Sequence, residues 1–318
     1  MKAVTLTDLQ ESVQDKSAFD KLADYLAIGC AFLSFIKKTH PTRIVSPSHS
    51  NYIFYQYGDD YGHRITRPLN TDLLIESTSE LQRAFERFIA FLDDLKQHQA
   101  AAVELRSRQQ YVESKEINHV IYTVQQAIGS IGDSFDSPNQ SRKRVGQLFE
   151  TLIKLVIQTV GVECEPRTIS ISIPGYPGYE MIYELDLVFS RGKAIITLET
   201  QHLHPSEVVG SVKTTSKDRI DKIFLDKHLL TRLLGREIPV VAIFLHDVQR
   251  AQRGNSIFGI NSTFKSNHFL GYTVALNKLD GVYYVDPRPE MLVNERLREQ
   301  IHDLQQFLVR DLWALTSK

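Results

Sequence analysis

This sequence predicts an α/β fold, a mixed sheet flanked by helices, with a helical N-terminal region in front of it. Three observations carry that expectation. Apolar residues recur at helical spacing through much of the first 135 positions. From Lys143 onward the order becomes helix, strands, helix, strand. Pro239 to Leu245 (PVVAIFL) is a continuous apolar run of strand length, as in a strand buried on both faces.

Taken in order, Asp20 to Lys38 predicts a helix through Leu22, Leu26, Leu33 and Ile36. His40 to Pro68 is rich in Pro, Ser, Tyr and Gly and predicts a long loop with one short strand. Thr71 to Gln97 is helical by Leu73, Leu74, Leu81, Phe85, Phe88, Ile89 and Leu92, and Glu116 to Ile131 is a third helix. Gly132 to Arg142 (GDSFDSPNQSR) is rich in breakers, which sets the expected division into 1–135 and 136–318. Lys143 to Val160 is an amphipathic helix. Strands are expected at Thr168 to Ile173, Met181 to Phe189, Ala194 to Gln201 and Val208 to Lys213. Ser216 to Leu234 is a helix closed by Gly235. Tyr272 to Leu276 and Val282 to Val285 are further strands, and Glu290 to Ala314 is a long final helix.

Composition narrows the class. Apolar content of 42% and charged content of 24% suit a globular protein. The two cysteines, Cys30 and Cys164, lie far apart and point to a reducing compartment rather than a disulfide scaffold. Met1 to Asp15 has no apolar core segment, and Leu26 to Ile36 is too short to cross a bilayer, so a cytoplasmic, non-membrane protein is expected. The net charge of −1 argues against a nonspecific nucleic-acid coat but leaves room for a local basic face.

The chemistry gathers after residue 180. In MIYELDLVF, alternation puts Glu184 and Asp186 on one strand face and Tyr183, Leu185, Leu187 and Phe189 on the other. In KAIITLETQ, Thr197, Glu199 and Gln201 share a face, so Asp186 and Glu199 can lie on adjacent strands. Two carboxylates there suit Mg²⁺, a hard cation. In VVGSVKTTSKDR, Ser211 and Lys213 share a face, and Lys213 fits a role facing phosphate and positioning water. Lys217, Arg219 and Lys222 open the next helix, whose amides also favour phosphate. Arg219, Lys222 and Asp226 form one stripe; a solvated charged face accounts for that stripe equally well. Glu150 in GQLFE sits at the edge of an apolar helix face, pointing either into a site or to its boundary. His202 and His204 form an isolated HxH pair. Arg250 and Arg253 lie in a stretch, 249–268, rich in side chains that read base edges or simply coat a loop.

A helix with FE, a strand ELDLVF, a strand with Glu199 and the run SVKTTSKDR entering a helix together resemble the PD-(D/E)XK nucleases, among them type II restriction endonucleases. The likeness spans about residues 143–245. It implies a mixed sheet flanked by helices, Mg²⁺-dependent hydrolysis of double-stranded DNA at specific sites, and a homodimer. Asp186 and Glu199 are the expected metal ligands and Lys213 the expected lysine, with Asp226 the reserve acid, and two assignments stay open. With Glu199 as second acid, the family lysine position falls on Gln201; with Lys213 as the lysine, the acid position is Ser211 and the acid has moved to the helix, at Asp226. The residues also leave room for a repair nuclease of the same fold, or a DNA-binding protein with a degenerate core.

Overall fold

The computed structural model describes residues 4–98, 115–192, 202–217 and 219–317. Contacts gather the chain into two units. The first comprises Met1–Phe91, Lys115–Leu152 and Val248–Thr263; the second comprises Leu92–Ser114, Ile153–Asp247 and Phe264–Lys318. Among the described residues the expected division at 135/136 is therefore crossed three times, by 92–98, by 136–152 and by 248–263. The supposed linker holds a short turn at 133–137, after which Pro138 opens a helix, a position where its missing N–H costs nothing.

The first unit is built on helices α1 (Leu6–Gln14), α2 (Leu22–Thr39), α3 (Thr78–His98, to Phe91), α4 (Glu116–Gly132) and the start of α5 (Pro138–Thr159). Helix α1, not foreseen, starts at a capping box: the Thr5 hydroxyl accepts the Asp8 N–H and the Asp8 carboxylate accepts the Thr5 N–H. Helix α4 is almost wholly buried. The Arg67 guanidinium lies against it, paired with Asp133 at 2.9 and 3.0 Å. A Cβ at Gly129 would fall 2.3 Å from that guanidinium, so a larger residue there would push Arg67 off its place beside Asp133.

The stretch 40–68 is not one loop. Strands β1 (Thr42–Val45), β2 (Tyr52–Gln56) and β3 (Leu69–Asn70) form an antiparallel sheet. The aromatic run 52–57 hid this, because its residues are buried on both faces and do not alternate. The polar stretch after 248 is likewise a hairpin, β8 (Val248–Arg253) and β9 (Ser256–Ser262), turning at Gly254 with φ +57°. Val248 and Ile260 pack with Tyr52 and Phe54 in one small core.

Among the described residues the second unit holds a six-stranded sheet in the order β11-β10-β7-β6-β5-β4. Its strands are β4 (Glu163–Ser172), β5 (Glu180–Ser190), β6 (Val208–Thr215), β7 (Val240–His246), β10 (Gly281–Tyr284) and β11 (Ile301–Asp303). Strands β4, β5 and β6 are antiparallel neighbours; β6, β7, β10 and β11 run parallel. The cause is connection length. A turn with Gly175 and Gly178 at positive φ joins β4 to β5, whereas helix α6 (Ile220–Leu234) crosses over from β6 to β7. Every residue of β7 is buried, as its apolar run predicted. Gly235 closes α6 at φ +66°, also as expected.

Two expectations fail here. Tyr272–Ala275 lie in helix α7 (Ser266–Ala275), with Leu276 as its C-cap, and not in a strand. The long final helix is broken into α8 (Pro289–Val293), edge strand β11 and a helical stretch 304–315. Asn294 accepts the N–H groups of Arg296 and Leu297, and Asp303 accepts that of Gln306, so side-chain caps divide the run. Its apolar stripe is covered by the chain's own core: Leu297, Ile301, Leu304 and Leu308 are buried, though Leu315 is only partly so. Among the described residues, no helix is long and apolar enough to cross a membrane.

Candidate active site

The site begins with an interruption in the β4/β5 ladder. Val188 pairs with Glu165 and Leu185 with Arg167, so Asp186 and Leu187 stand opposite Pro166 alone. Proline has no N–H for the ladder, and the extra residue on β5 makes a bulge. The bulge shifts the facing of the strand. Tyr183 and Leu185 share a core cluster with Val188, which strict alternation would have put on the opposite face, while Phe189 packs edge-on against Phe307. The expected single face of Tyr183, Leu185, Leu187 and Phe189 is thus corrected.

The β5/β6 pairing covers Leu187 to Phe189 against Gly210 to Val208. Beyond Leu187 the strands diverge, and the Asp186 carboxylate fills the fork. Its Oδ2 accepts the Val212 N–H at 2.9 Å, the Ser211 hydroxyl at 3.1 Å and the Lys213 ammonium at 2.5 Å. The carboxylate therefore replaces a main-chain acceptor for Val212 and pairs with the lysine two strand residues along. The side chains of Asp186 and Lys213 are 18% and 29% exposed, so the pair is shielded but reachable.

Asp226, on α6, lines the same cleft as Asp186, Ser211 and Lys213, with Arg219 and Lys222 at its mouth. Burial pushes the Asp226 carboxyl above the usual carboxylate range; Lys222 opposes this, Asp186 adds to it and Lys213 opposes it. Arg219 is exposed and forms the N-cap of α6 without a side-chain cap of its own, and Lys222 is exposed one turn on. The cleft has a volume of about 100 Å³, room for an ion with a few waters at ~30 Å³ each.

A divalent cation such as Mg²⁺ needs hard oxygen donors. Among the described residues no three Asp, Glu, His or Cys side chains converge as a metal group. Mg²⁺, however, is commonly held by one or two carboxylates and keeps several waters. Asp186 and Asp226 supply hard oxygens, and the effect of Asp186 on Asp226 is a like-charge tension that a bound cation would relieve. The three donors on Asp186 all fall on Oδ2. The residues present fit the ion.

Not every candidate gathers here. Glu199 and Gln201, with the expected strand 194–201, lie outside the described residues, as does Asp218. Lys217 is exposed in the turn before α6. Glu150 lies on α5 and is partly exposed, and Arg250 and Arg253 are exposed on β8; all three belong to the first unit. Arg253 donates to Asn261. His204 turns its Nδ1 to the Ser206 hydroxyl at 2.7 Å. Sequence reading passed over the Arg167–Glu207 pair, bidentate at 2.8 Å with Glu207 almost wholly buried. It also passed over Pro166, whose place inside a strand is the one readable sign of the bulge.

No protein-family model and no curated protein sequence matches the chain. Among solved structures, the type IIP restriction endonuclease Kpn2I superimposes with a TM-score of 0.67 at 18% identity, over 97% of this chain and 97% of that one. The restriction endonuclease PspGI, in complex with substrate DNA, matches with a TM-score of only 0.39 at 11% identity, over 64% of this chain and 80% of that one. The order of elements, the mixed sheet and the likeness to Kpn2I over nearly the whole length lead to one statement: this chain has the type II restriction endonuclease fold.

Proposed function

We propose that the protein is a site-specific, Mg²⁺-dependent type II restriction endonuclease hydrolysing phosphodiester bonds of double-stranded DNA. The observation that carries this reading is the Asp186–Ser211–Lys213 cluster in the β5/β6 fork, facing Asp226 across one small cleft. Asp186 and a second acid would hold the ion, which would supply positive charge against the phosphodiester. Lys213, held by Asp186, orients the attacking water and meets charge developing on the phosphate oxygens. Lys217, Arg219 and Lys222, with the N-terminal amides of α6, hold the backbone phosphate. Arg250, Arg253 and the N-terminal helices contribute DNA contacts and dimerisation. Glu150 remains a candidate for an accessory acid. A cytoplasmic location fits the two unpaired cysteines.

Asp226, which lines one cleft with Asp186, is taken as the second acid in place of the initially expected Glu199, which lies outside the described residues. Plasmid DNA digested with Mg²⁺ is expected to give discrete fragments, and an EDTA control none. Asp226→Asn is expected to remove this activity and Glu199→Gln to spare it. The reverse result would return the second acid to Glu199, and no fragments from the wild type would favour a degenerate core.

Cutting both strands of a twofold-symmetric site is simplest for a twofold-symmetric dimer. Sedimentation equilibrium at micromolar protein is expected to give twice the chain mass. A strict monomer, with and without DNA, would sink the homodimer and favour strand-by-strand nicking.

A further inference from the structure

We propose that Lys227 is a positioning residue that sets the direction of Asp226, an inference resting on the reading of Asp226 as an ion-binding acid. Lys227 follows Asp226 on α6 and is only 4% exposed. An ammonium in that setting costs stability unless it is paired and hydrogen-bonded. Its Nζ donates to the Asp280 carboxylate at 2.7 Å and to the Lys278 carbonyl at 2.5 Å. The same Asp280 oxygen accepts the Val240 N–H at 2.7 Å, and the Asp280 N–H returns to the Val240 carbonyl at 2.9 Å. A chain of directional bonds thus runs from α6 to the first residue of β7. Strand β7 is in turn in register with β6, Phe244 beside Lys213. One residue later, His228 Nδ1 lies 2.7 Å from Asn277 Oδ1, tying the same turn of helix to the same loop.

The hydrophobic pattern alone does not account for a lysine here. Ile223, Phe224 and Leu230 already bury the inner face of α6, and a leucine or methionine at 227 would continue it. Apolar contacts are non-directional and tolerate a small rotation of the helix about its axis. Adjacent helical residues point about 100° apart, so fixing Lys227 fixes where Asp226 points. The lysine supplies the directional bonds that apolar packing lacks, and through them the spacing of Asp226 from Asp186.

The test measures ion binding without DNA or turnover, by loss of the free Mn²⁺ EPR signal on titration with protein. Lys227→Met is expected to weaken Mn²⁺ binding about tenfold or more, the usual scale for a partner that orients a ligand. Asp280→Asn is expected to do the same while keeping an oxygen for the Val240 N–H, and it carries the test if Lys227→Met does not fold. Leu308→Ala, remote from α6 in sequence and giving a comparable loss of Tm, is expected to leave Mn²⁺ affinity unchanged. Asp226→Asn separates the two layers. If it weakens Mn²⁺ binding while Lys227→Met and Asp280→Asn stay within twofold of wild type, the positioning role is overturned and the reading of Asp226 stands. If Asp226→Asn has no effect, that reading fails and the inference with it. A loss of affinity in Leu308→Ala equal to that in Lys227→Met would reduce the effect to general destabilisation.

Discussion

Asp186→Ala is expected to lower DNA cleavage by on the order of 10³-fold or more, since removing an ion-binding carboxylate forfeits several kcal/mol of charge stabilisation and each 1.36 kcal/mol is tenfold in rate. The fold should survive. The three donors that Asp186 satisfies are Ser211, the Val212 N–H and Lys213, and the lysine is 29% exposed and can turn to water. The Val212 N–H is the group left worst off, at a cost of about 1–3 kcal/mol. Single-turnover cleavage and a thermal melt of the same preparation separate the two effects. A variant that melts within a few degrees of wild type and cuts at the wild-type rate would remove Asp186 from the active site. Loss of cutting together with loss of the melting transition would make its role structural, as the acceptor that closes the strand fork.

Lys213→Ala is expected to reduce the cleavage rate at saturating DNA by about 10²–10³-fold while changing binding little, because its charge matters most as negative charge develops in the transition state. Lys217→Ala and Arg219→Ala should behave in the opposite way. Each should weaken binding and reduce the slope of log affinity against log salt by about 0.9, the signature of one lost phosphate contact. Filter binding over a salt series, with single-turnover rates at saturation, distinguishes the two classes. A Lys213→Ala enzyme that binds poorly but cuts normally once saturated would exchange these roles. The ion pair with Asp186 adds a second expectation. With Lys213 gone, Asp186 and Asp226 lack the ammonium that tempers them, so the cation concentration for half-maximal cleavage by Lys213→Ala should fall in a Mg²⁺ titration.

Much of the architecture was legible because it is local. The buried run of β7, the helical periodicity of α2, α4 and α5, and the glycine that closes α6 each express a preference held within a few residues. The misreadings share one cause. Leu297, Ile301, Leu304 and Leu308 repeat at helical spacing, but the same spacing serves a turn, an edge strand and a short helix once β10 offers Ile301 a partner. Residues 52–56, 248–253 and 256–262 took strand form because the two small sheets cover each other, which no window of sequence reveals.

The sequence by itself determined the chemistry on offer: Asp186 on a strand, the Ser211–Lys213 pair on another, Asp226 and the basic residues on the helix that follows. Only the tertiary structure decided how they meet. Pro166, on the neighbouring strand, leaves Asp186 in a bulge; β5 and β6 part just beyond Leu187; and α6 is held to β7 through Lys227 and Asp280. Side-chain type is a property of a position, whereas a carboxylate 2.5 Å from an ammonium 27 residues away depends on strand register, and register is set by pairing between segments that the linear order keeps apart.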